Sequence, residues 1–448
     1  MKKHLLFLGI AALLMPNLAK AKDVTIVVTN SERTQRQEVV EVNVQDVYKG
    51  LGIDQSKTFV VKNAMGQEVD YQITYDGLLL IDASVRPCGE AIYTVTLGTP
   101  QKPKVYVTGR QYPERVDDIA WENDRTAYRL YGPALQRSGE KAYGIDVWVK
   151  NTPDLEVEKR YEVELSNHQR ITDLKKAGKD AEAKQVEIET TYHFDHGYGL
   201  DCYKVGPSLG CGAPALMENG RIVMPYSYKD YKILDNGPLR FTVELTYNPS
   251  MVQGDRNVVE HRILSLDKGS NFNKMTVWYE GLSRPCDFAT GVVIHEEDTQ
   301  SIVCGRDYVA YADPTDNPAA QNFQIYVAAL FPNGISETKA LMNEKPANGI
   351  AGHAVGIRHD YQNGERYTYY FGSAWSKADV RTMDEWVLRI NNFLDALHSP
   401  LSTEVRGERL LLPLNPQTSQ LIPINPKISQ SSRESQISGH TQGMSLRS

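Results

Sequence analysis

Apolar residues along most of this chain recur at every second position, in short runs broken by glycine, proline or clustered charge. Val24, Ile26 and Val28 alternate with polar neighbours, as do Val40, Val42 and Val44, and this two-residue period predicts strands with one wet face. Phe59-Val-Val-Lys, Leu78-Leu-Leu-Ile and Ala91-Ile-Tyr-Thr-Val-Thr-Leu extend the pattern, with Gly66, Gly77 and Gly89 as turn points. Residues 22–103 therefore read as a small N-terminal β-sandwich domain. Gly98-Thr-Pro-Gln-Lys-Pro reads as its linker, since two prolines cannot continue a strand. Residues 104–401 keep the same rhythm in Tyr143-Gly-Ile-Asp-Val-Trp-Val, Arg240-Phe-Thr-Val-Glu-Leu-Thr-Tyr, Lys274-Met-Thr-Val-Trp-Tyr and Ala289-Thr-Gly-Val-Val-Ile. No alternation of strands with helices appears, so the expected fold is mainly β, with a large antiparallel sandwich.

Two stretches depart from that period. Asp173 to Val186 is rich in Lys, Glu and Ala and predicts an exposed helix or long excursion. Met383, Trp386, Ile390, Phe393, Leu394 and Leu397 fall three or four apart, which predicts an amphipathic helix closing the domain at Ser399-Pro400. From 402 to 448 the composition turns to Pro, Ser and Gln without apolar periodicity, and a disordered or non-native tail is expected.

The first 21 residues follow a third pattern. Lys2 and Lys3 precede the apolar run Leu5–Met15, and Ala19-Lys20-Ala21 is a small-x-small cleavage site, so 1–21 reads as a secretory signal peptide. The run is too short for a transmembrane anchor, and Lys22 stands where a bacterial lipoprotein would have Cys. A periplasmic or secreted location is expected.

Composition changes this picture only at its edges. With 41% hydrophobic and 23% charged residues in 448, the chain has material for a large core and is neither disordered nor polytopic. Cleavage would remove Lys2, Lys3 and Lys20, taking the formal charge from -7 to -10, which argues against nucleic acid as a partner. Tyrosine (25) outnumbers Phe (10) and Trp (5), a skew that suits strands and polar, sugar-like ligands. Of five cysteines, Cys202 and Cys211 are near enough to form a local disulfide, or are simply small buried residues.

Candidate chemistry concentrates between Tyr192 and Pro214. His193, Asp195, His196, Tyr198, Asp201, Tyr203 and Lys204 fall within twelve positions, among glycines that allow close approach of backbone to a ligand. A second stretch, Glu114 to Pro133, places Arg125 and Arg129 on one side of a probable strand, where two guanidinium forks suit a uronate or sulfate. Trp121 offers a stacking face, and Glu122 and Asp124 either contact substrate or neutralise those arginines. His353 and His359 on a further strand are weaker candidates. A metal at His193-x-x-His196 lacks a supporting helix, and no nucleophile elbow or phosphate loop is present, so no metal and no cofactor are expected.

The runs Asp118-Ile-Ala-Trp-Glu-Asn-Asp-Arg-Thr-Ala-Tyr-Arg-Leu-Tyr-Gly-Pro-Ala-Leu, Gly144-Ile-Asp-Val-Trp-Val-Lys, Tyr192 to Gly212 and Asn236-Gly-Pro-Leu-Arg resemble the DUF4861 family over about residues 22–400. The resemblance implies an exported protein of Bacteroides-type polysaccharide utilisation, with a galactose-mutarotase-like supersandwich carrying a C-terminal helix. It also implies breakdown of uronate-containing glycans, with a dehydratase activity attributed to relatives.

Together these readings suit a carbon–oxygen lyase, with a uronate-containing oligosaccharide or polysaccharide as substrate and partner. β-Elimination needs a cation at the carboxylate, a base at C5 and an acid at O4. The expectation assigns the cation to Arg125, with Arg129, and the base to His193 or His196. Tyr198 or Tyr203 is the acid, Lys204 assists, and Trp121, Glu122, Asp124 and Asp201 complete substrate binding. The alternatives are a glycoside hydrolase using paired carboxylates among Glu122, Asp124, Asp146, Asp195 and Asp201, and a non-catalytic carbohydrate-binding protein.

Overall fold

The computed structural model describes residues 22–314 and 322–407. The expected signal peptide and residues 408–448 of the expected tail lie outside them. Antiparallel strands dominate.

The N-terminal domain is a sandwich of a four-stranded and a three-stranded sheet. Val24, Ile26, Val28, Val40, Val42, Leu79 and Ile81 fill the space between them, as the two-residue period requires. Val44 departs from the expected strand. The Asn43 side chain accepts the Gln45 N–H at 2.9 Å, and this cap starts helix α1 (Val44–Leu51). The chain returns to this domain at its far end. Ser402–Gly407, read from composition as part of the tail, pairs with Val24–Asn30 from Thr29↔Ser402 to Val24↔Gly407.

The larger domain has two layers. One is a nine-stranded sheet spanning Tyr228–Trp375. The other comprises two five-stranded sheets: a platform sheet from Thr108 to Asp201, and a partner sheet from Cys211 to Tyr361. An isolated parallel bridge between Ile145 and Gly210 joins those two edge to edge. A single apolar core runs between the layers, from Trp121 and Tyr128 through Phe241, Phe288 and Val355 to Trp375. This is the large antiparallel sandwich that the alternating pattern and the family resemblance implied.

Helices cover the outside. After the short helix α2 (Pro133–Arg137), an antiparallel hairpin of α3 (Val157–Lys176) and α4 (Asp180–Thr190) lies over the second face of the platform sheet. The expected helix at Asp173–Val186 is thus the turn and flanks of a longer hairpin. Helix α5 (Met383–His398) buries Trp386, Ile390 and Leu394 against Phe272, Tyr326 and Leu330 on the outer face of the nine-stranded sheet. No helix among the described residues is long and apolar enough to cross a membrane.

Candidate active site

The platform sheet is buried on both faces, which decides where its side chains go. On strands Asp118–Glu122, Thr126–Leu130 and Ile145–Lys150, one alternate set (Ile119, Trp121, Tyr128, Leu130, Val147) enters the main core. The other set (Asp118, Glu122, Arg129, Asp146, Lys150) points at the α3–α4 hairpin. Buried charges need partners there: Glu122, Arg129, Asp146 and Lys150 are ion-paired, and Asp118 accepts the Gly132 N–H at 3.0 Å.

Two ionic groups result. Lys150 Nζ donates to Glu122 Oε2 at 2.5 Å and to the carbonyls of Asn123 (2.7 Å) and Asp154 (2.6 Å), using all three donors. Glu122 also accepts the Val157 N–H at 2.7 Å, placing a negative charge at the N-terminus of α3. Further along, Arg129 donates to Asp146 Oδ2 from Nε (2.9 Å) and Nη2 (2.5 Å), and to Asp201 Oδ2 at 3.1 Å. The Tyr131 hydroxyl accepts from Arg129 Nη2 at 3.2 Å and donates to Asp146 at 3.1 Å. The Tyr192 hydroxyl accepts from Arg115 Nε and Nη2 at 3.1 and 2.6 Å, and from Arg129 Nη1 at 3.5 Å. Burial, followed by the neighbouring Asp146, pushes the Asp201 carboxyl up to about 7, and burial pushes Asp118 up to about 6.

His193 sits where this network reaches solvent. Its Nδ1 lies 3.0 Å from the Asp201 carbonyl oxygen and 3.7 Å from Asp201 Oδ2, with the side chain 54% exposed. A carbonyl can only accept, so Nδ1 carries the proton and Nε2 presents a lone pair outward. Arg115, half-buried on the other side of Tyr192, has no carboxylate within salt-bridge distance among the described residues. Sequence reading passed over Arg115 in favour of Arg125 and Arg129, because residue type does not distinguish a paired guanidinium from an unpaired one.

The other expected site residues disperse. Trp121 is 1% exposed, stacked on Tyr128 and Phe241, with Nε1 donating to Asn273 at 2.7 Å, so it offers no face to a sugar. Glu122 is committed to Lys150 and α3, and Arg129 to Asp146 and Asp201, so neither is available to substrate. Arg125 lies in the turn built on Asn123 rather than on the strand, and it pairs with Asp379 at 2.5 Å, which Arg389 shares. Asp124 accepts the Gly269 N–H at 2.7 Å. Tyr203 is buried against His295 in the core, out of reach of a substrate. The Lys204 ammonium faces Glu297 at 3.6 Å. His196 Nε2 donates to the Thr191 carbonyl at 2.9 Å, and Tyr198 carries Lys159 and Arg160 over its ring. Asp195 ion-pairs with Lys377 and accepts the N–H groups of Gly197 and Gly199, so it shapes the loop. His193 and His196 hold different carbonyls and do not converge.

Two features of the dense segment have structural explanations. Gly199 and Gly210 have positive φ, and a Cβ on either would lie 2.0 Å from the Val149 oxygen or 2.3 Å from the Ile145 oxygen. Their close approach is therefore to the strand Ile145–Lys150, not to a ligand. Cys202 and Cys211 are buried and are not joined by a disulfide.

Sequence comparison places this architecture among known families. The model of DUF4861, described as a domain of unknown function, matches residues 27–403. A curated protein from Formosa agariphila, "Uncharacterized protein P7", is 26% identical over 433 residues, covering 90% of this chain and 100% of that protein. Among solved structures, an alpha-mannosidase from Enterococcus faecalis V583 aligns over 86% of this chain at 10% identity, with a TM-score of 0.46. A glycosyl hydrolase family 38 protein from Enterococcus faecalis gives the same three values. The chain spans about half the length of those two structures, 46% and 48%.

Proposed function

This chain belongs to the DUF4861 family, and we propose that it is a carbohydrate-active enzyme that eliminates across C4–C5 of a uronate, with His193 as the base. One observation carries the reading. His193 is the half-exposed imidazole whose Nδ1–H is fixed by a carbonyl, whose Nε2 faces outward, and whose protonated form would lie 3.7 Å from a carboxylate.

In this mechanism Arg115 neutralises the substrate carboxylate and so acidifies the C5 proton. Nε2 of His193 removes that proton, and the C–H electron pair forms the C4–C5 double bond. The C4–O4 bond breaks, and O4 leaves with a proton supplied by solvent at the open end of the site. The proton taken up by His193 then passes to solvent, which restores the base. If O4 is a free hydroxyl, the products are water and a dehydrated sugar; if it carries a glycan, the chain is shortened. The hydrolase alternative has weaker support, because each candidate carboxylate already holds a cation or backbone N–H groups.

The test is mass spectrometry of uronate-terminated oligosaccharides incubated with the protein. Loss of one water without shortening, or shortening with an unsaturated end, is expected for wild type. His193→Ala should lower the rate by roughly 100-fold or more with binding retained. Shortening with water added, or an unchanged rate in His193→Ala, would overturn the assignment.

A further inference from the structure

Among the described residues, every phenylalanine lies in a core or packs against one except Phe194 and Phe323, each 44% exposed. One exposed phenyl is ordinary, but these two adjoin the same ion pair. Phe194 immediately precedes Asp195, which pairs with Lys377. The Lys377 ammonium in turn lies 5.6 Å from the centre of the Phe323 ring and 5.5 Å from that of Trp375. Two segments far apart in the chain thus meet at the loop that carries His193.

Both phenyls stand on rigid supports. Around Phe194, the Tyr192 hydroxyl is held by Arg115, His196 Nε2 donates to the Thr191 carbonyl at 2.9 Å, and Asp195 accepts the N–H groups of Gly197 and Gly199 at 2.8 and 3.0 Å. Phe323 has a φ of 57°, in the left-handed region that a bulky side chain seldom occupies. Its neighbours enforce that conformation. Trp375 Nε1 donates to the Asn322 carbonyl at 2.7 Å, and the Gln324 N–H donates to the Ser376 hydroxyl at 2.9 Å. The Trp375 indole meets the Phe323 ring edge-on, with centroids 5.9 Å apart. An apolar ring kept in water by an unfavourable backbone adds nothing to the core, and strain of this kind collects where a ligand is gripped.

We propose that Phe194 and Phe323 form a subsite for the neutral pyranose unit that adjoins the uronate in the substrate. The choice of ligand rests on the elimination assigned to His193, because an oligosaccharide with its uronate there passes its next ring over the neighbouring loop residues. The C–H face of a pyranose is apolar and stacks on a phenyl, while its hydroxyls need polar partners. The Lys377 side chain is 32% exposed, and with three donors it can bond a hydroxyl oxygen and still hold Asp195. Lys377 and Asp195 neutralise each other, so this subsite suits an uncharged sugar, in contrast to the uronate taken by Arg115.

Calorimetric titration of the full chain carrying His193→Ala tests this without turnover. The probes are D-glucuronate and disaccharides in which it is joined to D-glucose, D-galactose, D-xylose or L-rhamnose. At least one disaccharide should bind more tightly than D-glucuronate. Adding Phe194→Ala or Phe323→Ala should weaken that disaccharide about 5-fold or more and leave D-glucuronate unchanged, whereas Phe194→Tyr should keep the affinity. If Phe323→Ala does not fold, Phe194→Ala alone decides. No disaccharide binding more tightly than D-glucuronate, disaccharide affinity unchanged in the alanine variants, or equal loss for both ligands would each overturn the subsite. The His193 assignment falls to a different result, an unchanged rate in His193→Ala, which these affinities do not depend on.

Discussion

Asp201 links the chemistry of the site to its stability. Its carboxyl, raised to about 7 by burial and by Asp146, titrates in the unfolded chain near 4. Between those values the folded protein retains a proton that the unfolded chain has released. The contribution of this group is therefore complete below about pH 4 and is lost as pH rises through about 7. Melting temperature measured from pH 4 to 8 should fall less steeply in Asp201→Asn than in wild type; parallel curves would show that Asp201 does not titrate in this range. At the sheet's other ionic group, Lys150→Met would strand Glu122, whose side chain is 1% exposed. A loss of about 3–5 kcal/mol in denaturant unfolding is expected. His193 stands out in the sequence as a histidine amid Gly, Tyr and Asp, and the structure leaves its ring half-exposed at the end of the network. Trp121 and Arg129 were misread for one reason: a strand buried on both faces sends every side chain inward, so alternation no longer separates core from surface.

Elements were more legible than residues wherever burial is one-sided. The amphipathic spacing that announced α5 is also the spacing that packs it. The α3–α4 hairpin was only partly visible, since apart from a few residues such as Val157, Tyr161, Ala183 and Val186 it is polar around its circumference. It is held instead by ionic contacts at its base: Glu122 at the first turn of α3, and Arg160 donating to the Tyr198 carbonyl at 2.9 Å. Arg160→Met should release the Tyr198 carbonyl and loosen the His193 loop. Amide hydrogen exchange across residues 193–199 should rise while exchange in α5 stays constant. The strand Ser402–Gly407 carried no apolar signal because its register is set by a partner at the opposite end of the chain.

At the scale of the whole molecule, the layers explain why the site is where it is. The platform sheet extends the sandwich beyond the partner sheet, and its second face would lie in water without the hairpin. A polar network can persist there because one layer of helix shields it, while its end at His193 stays open. The small domain attaches through polar contacts: Gln72 bonds the backbone of Leu239 and Arg240, and Asp82 pairs with Lys268. A chain ending at Leu401 should therefore melt lower than one ending at Gly407, because it lacks the strand beside Val24–Asn30. Equal melting temperatures would show that this pairing adds nothing.

That pairing also sets a timetable. Val24–Asn30 gains Gly89–Leu97 as one neighbour early in synthesis, but its second neighbour, Ser402–Gly407, only after a delay on the order of tens of seconds at ribosomal speed. Until then an unpaired edge of alternating valines is available to any other extended chain. A nascent copy is thus most vulnerable to aggregation along that unpaired edge, and chaperone protection of it should matter more for yield than the stability of the finished fold.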